Sequence, residues 1–122
     1  MPSLPEIVLF ADDAGCCPVL SALDAAPAVV QRRCLARLLV LQELSSAFVS
    51  SQSNEREIEY FRIGFDSSYF FVIYYLNGSK LLLLHAVISI SELVLEDLAV
   101  ATRRKRQFNA NPEAHTYGES RS

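Results

Sequence analysis

The fold is decided by the stretch Tyr69-Phe70-Phe71-Val72-Ile73-Tyr74-Tyr75-Leu76-Asn77-Gly78-Ser79-Lys80-Leu81-Leu82-Leu83-Leu84-His85-Ala86-Val87. Two runs of aromatic, β-branched and aliphatic residues flank Asn-Gly, a pair that readily takes the positive φ angles of a tight hairpin turn. The stretch therefore reads as two antiparallel strands over residues 69–76 and 80–87. Four consecutive leucines leave the second strand no polar side, which predicts that it is covered on both faces.

Upstream, Ile58-Glu59-Tyr60-Phe61-Arg62-Ile63 alternates apolar with polar residues, as a half-exposed strand does, and Asp66-Ser67-Ser68 supplies the turn into the hairpin. The Ser-rich run 50–54 marks a loop. Before it, Val30, Cys34, Leu38 and Leu41 recur at helical spacing, with Leu35, Leu39 and Leu44 widening the stripe, and predict a long helix over 28–49. Pro18 fits the first turn of a short helix through Val19, Leu20 and Leu23. The opening run 5–10 reads as a strand that ends at the turn-forming Asp12-Asp13-Ala14-Gly15. Downstream, Ser89 and Glu92 have capping-box spacing and predict a helix over 90–107. The polar residues 109–122 are expected to form a flexible tail. The order β-α-α-β-β-β-α, with strands grouped and helices set apart, is that of a single α+β domain over residues 1–108, an antiparallel sheet packed by helices.

Composition narrows the function classes. With 122 residues, half of them apolar, the chain can bury a core without metals or disulfides. Its net charge of −3 argues against a protein that grips nucleic acid by overall charge, and leaves room only for a local cationic patch. Cys16, Cys17 and Cys34 are odd in number and wrongly spaced for a disulfide framework or a zinc knuckle. No metal and no cofactor is expected. There is no leader-like N-terminus and no run long enough to span a membrane, so a cytoplasmic protein is expected.

In order and spacing, several short segments resemble the RelE/HigB toxins of toxin–antitoxin systems, most closely the phage-derived branch. The matching pieces are Pro18-Val19-Leu20-Ser21-Ala22-Leu23, Phe61-Arg62-Ile63, Val72-Ile73-Tyr74-Tyr75-Leu76-Asn77-Gly78, Leu83-Leu84-His85 and Ala101-Thr102-Arg103-Arg104. The resemblance implies a RelE-like fold and a ribosome-dependent endoribonuclease that cuts mRNA. It also implies a cognate antitoxin, of helix-turn-helix type, as partner. The chain departs from the family after Leu-Leu-His. Residues 86–95 contain no lysine and no proline where the family has a Lys-Lys stretch and Thr-Pro, and they carry Glu92. Phe71 stands where the hairpin strand usually offers an arginine.

Cleavage by the RNA 2′-hydroxyl needs a proton acceptor, a proton donor and cations aimed at the phosphoryl oxygens. The candidate catalytic residues are Arg62, which matches the family's strand arginine, and His85, which can move protons near neutral pH. Candidate RNA contacts are Arg103, Arg104 and Arg106, in the basic run 103–106, and Tyr74, which could stack on a base. Each has a plainer reading. Arg62 can pair with Glu57 or Glu59, His85 can be a packed strand-end histidine, the basic run can complement a helix dipole, and Tyr74 can be core. Arg32, Arg33 and Arg37 read as a solvated helix face, and His115 as incidental. The alternative function is a non-catalytic interaction module of the same fold, taking a protein partner or a second copy of itself.

Overall fold

The computed structural model describes residues 6–51, 58–77 and 80–117, and side chains within these except those of 45–51 and 77. Its elements are β1 (Glu6–Leu9), α1 (Pro18–Asp24), α2 (Ala28–Ser51), β2 (Glu59–Phe65), β3 (Ser68–Asn77), β4 (Lys80–Ser89) and α3 (Leu95–Ala110). The class and the element order match the sequence reading. Among the described residues, no helix is long and apolar enough to cross a membrane.

The four strands form one sheet in the order β1-β4-β3-β2. β2, β3 and β4 are antiparallel neighbours, but β1 runs parallel to β4. The sheet is thus mixed and not antiparallel throughout. Only β2, β3 and β4 follow one another through tight turns; α1 and α2 carry the chain away from β1, which is then free to join β4 in the same direction. The β2–β3 turn is the pair Asp66-Ser67, with Asp66 at φ 50. Across the next hairpin Asn77 pairs with Lys80, while Gly78 lies outside the described residues, as do residues 52–54 of the Ser-rich run.

Side chains of β4 leave in both directions, as its leucines predict. Leu81 and Leu83 join Val72, Phe61 and Ile63 beneath α1 and α2, against Val19, Val30, Cys34 and Leu38. Leu82 and Leu84 join Val8, Phe10, Ile73 and Tyr75 beneath α3, against Ala101 and Phe108. Burying each such aliphatic or aromatic side chain contributes about 1.5–3 kcal/mol before the entropy of ordering it is subtracted. The stripe on α2 is narrower than its spacing suggests. Leu35, Leu39 and Leu44 are 57%, 61% and 62% exposed.

β4 does not alternate evenly. Ile73 is opposite His85 and the next residue, Tyr74, is opposite Leu83, so Leu84 is an extra residue, a β-bulge. The bulge turns His85 to the α3 side, although the Leu81/Leu83 spacing alone would send it to the other. The same strand overruns the expected capping box. Ser89 is the last rung of the sheet, paired with Tyr69. Its hydroxyl accepts from the Ser91 backbone N–H at 3.2 Å in a local turn, and α3 starts after Val94, which makes no side-chain cap. Glu96 and Asp97 supply the negative charge of the first helical turn instead.

Of the stretch read as a polar tail, residues 109–110 end α3 and residues 111–117 pack back along the sheet, while residues 118–122 lie outside the described residues. Thr116 bridges Phe10, and the Ala11 and Tyr117 backbone N–H groups donate to the carbonyls of His115 and Leu9 at 2.8 and 2.9 Å. His115 is buried, stacks on Phe10 at 5.2 Å between ring centroids, and its Nδ1 lies 2.7 Å from the Ala11 carbonyl oxygen, to which it donates. Pro112 and Asn111 fold this short segment back because its polar groups find partners along β1. Truncation of His115 to Ala is expected to cost about 2 kcal/mol in urea unfolding, since it uncovers Phe10 and leaves the Ala11 carbonyl without this donor. A midpoint unchanged from the parent would show that the segment does not seal the sheet.

Candidate functional site

β2 and β3 place Tyr60, Arg62 and Tyr69 on the α3 side of the sheet, because their rung partners Ile73, Phe71 and Gly64 alternate that way. The bulge adds His85 to the same side. Tyr60, Ile73 and His85 share one rung of the sheet, so His85 and the 53% exposed Tyr60 stand two strands, roughly 10 Å, apart. Arg62 is one step along β2, with its guanidinium 4.6 Å from the centroid of the Tyr69 ring. Phe71, between them, is buried beneath Tyr60 and Tyr69 at 5.7 and 6.1 Å.

His85 is held from both ends by α3. Its Nε2 is 3.0 Å from Asp97 Oδ1 and its Nδ1 is 3.0 Å from Arg104 Nη1. A guanidinium can only donate, so Nδ1 accepts and the proton sits on Nε2, donated to the Asp97 carboxylate. This is the neutral tautomer with its acceptor nitrogen turned toward a cation. Arg104 Nη1 also donates to the Leu84 carbonyl at 2.9 Å, and the guanidinium lies 5.7 Å from the Phe10 ring. Burial, and after it the Arg103 charge, push the Arg104 pKa down, while Asp12 and Cys17 act the other way. An arginine in this state is still a cation.

The other predicted contacts disperse. Arg103 and Arg106 are exposed, while Lys105 turns back to lie 5.0 Å from the Tyr75 ring. Tyr74 is on the opposite face, buried under α2, where its hydroxyl donates to Glu59 at 3.2 Å. It does not share a surface with Arg62 or His85. Glu59 is therefore spent on Tyr74 and not on Arg62, which is on the other side of β2.

Arg33 and Arg37, read as solvated charges, are exposed and lie on the α2 side of β2, across the strand from the Arg62 side chain. α2 crosses the outer edge of β2, where Arg33 donates to the Gly64 carbonyl at 3.2 Å and Arg37 lies 5.3 Å from the Phe61 ring. Arg33, Arg37 and Arg62, with Ala36, Val40 and Ile63, line one open cleft of about 380 Å³. Their helical spacing i, i+4 showed that Arg33 and Arg37 share a side of α2, but nothing in the sequence placed that side against β2. Asp97 was missed too, because it enters through the late start of α3. Among the described residues, no three His, Cys, Asp or Glu side chains gather as metal ligands.

Burial also sets how the acidic side chains beneath α2 respond to base. It pushes the Cys34 thiol from its ordinary 9.0 up to about 11. It pushes Tyr74 from 10.0 up to about 12, helped by the Glu59 charge. Both groups are harder to ionise in the fold than in the unfolded chain, so their contribution is intact below pH 9.0 and is lost as the pH rises toward about 12. Urea unfolding is expected to weaken over this alkaline window by roughly 2 kcal/mol per group, and Tyr74→Phe should flatten its upper part. A midpoint independent of pH there would contradict the burial of both groups.

No family model, curated protein or solved structure matches the chain.

Proposed function

We propose that the protein is the toxin-like member of a toxin–antitoxin pair, a RelE/HigB-like endoribonuclease that takes mRNA on the ribosome and thereby stops translation. The observation that carries the reading is the bulge-driven placement of His85 on the same sheet face as Arg62, with the exposed Tyr60 on its rung. In this reading a strand of RNA lies across β2 and β3, with its phosphates met by Arg62 on the sheet face and, where it passes over the β2 edge to the α2 side, by Arg33 and Arg37. Tyr60 and Tyr69 offer ring faces for bases. At the far end, Asp97 fixes the His85 tautomer so that Nδ1 is the acceptor. When a 2′-hydroxyl takes the place of the Arg104 donor, Nδ1 removes its proton as the oxygen attacks the adjacent phosphorus. The P–O5′ bond breaks, the departing 5′-oxygen takes its proton from water, and Arg104, still beside the histidine, faces the charge on the phosphoryl oxygens. A protein antitoxin, of helix-turn-helix type, would keep this surface covered. The cytoplasm is the compartment this substrate requires.

A second reading has its own support. Both ring nitrogens of His85 are engaged and Arg104 is tied to a backbone carbonyl, which suits a packed structural lock in a non-catalytic interaction module of the same architecture.

Expression of the full chain without a partner separates the two. The toxin reading expects growth arrest and cleavage of mRNA by purified protein on ribosomes. His85→Gln should reduce cleavage about 100-fold or more while RNA binding persists. Arg62→Ala and Arg37→Ala should each weaken RNA binding by about tenfold, lower its salt dependence and relieve the arrest. Harmless expression, with no RNA bound at low salt, would overturn the toxin reading and leave the interaction module.

A further inference from the structure

β2 is the last strand of the sheet, paired with β3 along one edge only. In a hairpin with a two-residue loop the closing pair, here Phe65 and Ser68, exchanges both backbone hydrogen bonds, and every second pair repeats the exchange. Phe61 and Ile63 therefore spend their N–H and C=O groups on β3, while Tyr60, Arg62 and Gly64 aim theirs outward. The Gly64 carbonyl agrees with this parity, since it accepts from Arg33 of α2. Among the described residues no hydrogen bond reaches the outward groups of Tyr60 and Arg62, and both residues are exposed. β2 has seven residues, no proline and an unshifted ladder, so none of these usual devices keeps a further strand away.

Charge decides what can pair there. Arg62 lies on the α3 side of the edge, and Arg33 and Arg37 lie on its α2 side. Among the described residues none of these three guanidiniums is in an ion pair, and Glu59 of the same strand is engaged by the Tyr74 hydroxyl, which donates to it. A second copy of β2 would bring the same cations against themselves, so like charge opposes self-pairing. We propose that the β2 edge takes an extended acidic segment of a partner protein as a fifth strand of the sheet. The segment's backbone exchanges hydrogen bonds with Tyr60 and Arg62 at the ~4.8 Å spacing of neighbouring strands. Its side chains alternate between the two faces. Those on one face reach Arg33 and Arg37, in the open cleft that Ala36 and Val40 also line. Those on the other meet Arg62 and Tyr60. RNA would answer the arginines but leave the in-plane donors and acceptors of the edge unmatched, and a peptide answers both. The inference rests on the edge and its charges and stands whether or not the sheet face cleaves RNA.

Titration of the full chain with a labelled octapeptide of alternating Glu and Val tests it, read by fluorescence anisotropy and by amide hydrogen exchange. Saturable binding that weakens with salt is expected, with exchange at the Tyr60 and Arg62 amides slowed about tenfold or more. The matching Lys-Val peptide should not bind. Of two Glu-Val peptides N-methylated at alternate residues, the one blocked on the side that faces β2 should lose binding, while the other keeps it. Arg37→Glu and Arg62→Glu should each weaken binding about tenfold, since both side chains are on the surface and each change replaces an attraction with a repulsion. Binding that leaves the Tyr60 and Arg62 amides unprotected would overturn the proposal, as would equal binding of the two N-methylated peptides. An edge that takes oligouridylate and no acidic peptide would show that its arginines serve RNA, and the proposal would fail.

Discussion

The structure depends on β4 being buried on both faces and paired along both edges. A strand in that position has to satisfy its backbone polar groups with β1 on one side and β3 on the other, because water cannot reach them. Its side chains must be apolar in both directions, and Leu81–Leu84 meet that demand without exception. Once β4 is fixed, the two helical layers follow, α1 and α2 against Leu81 and Leu83 and α3 against Leu82 and Leu84. The extra residue at Leu84 is the one irregularity in the β3–β4 ladder, and it decides which layer His85 meets. A histidine sent the other way would enter the hydrocarbon cluster of Leu81, Leu83 and Val72.

Much of this architecture was legible because it rests on local patterns. The alternation of β2, the two-sided leucines and the helical spacing of Val30, Cys34 and Leu38 each report a neighbour's presence through burial, and burial writes itself into the sequence at a fixed period. What was not legible depended on long-range geometry. The parallel direction of β1 is set by where α1 and α2 leave the chain, and no residue of Glu6–Leu9 encodes it. A bulge inserts a residue without changing composition, so the strand reads as regular. Ser89 and Glu92 have the right spacing for a cap, but pairing with Tyr69 held Ser89 in the sheet and delayed α3 to Leu95. Leu35, Leu39 and Leu44 match the helical period yet face away from the core, since a period alone does not say which side of a broad stripe meets the sheet.

The candidate site was legible as a list of residue types more than as an arrangement. Arg62 and His85 do share a face, but the sequence offered no route to Asp97, whose carboxylate fixes the imidazole tautomer, or to the placement of Arg33 and Arg37 along the β2 edge. Tyr74 was assigned by its aromatic character, which serves a base and a core equally well; parity along β3 put it in the core. The result concentrates cations along one edge of an otherwise acidic chain. That local concentration, and not the total charge, governs what an anionic strand would meet at close range.

The closure of the sheet by its two ends has a consequence for how the molecule comes into being. β1, which precedes β4 by some seventy residues, has it as its partner within the sheet and residues 115–117 along its other edge. Neither neighbour exists until most of the polypeptide has been synthesised. The early segment must therefore wait, with Val8 and Phe10 uncovered, for contacts separated from it by most of the chain. Such distant closure makes for slow acquisition of the native state and an interval of exposed hydrocarbon.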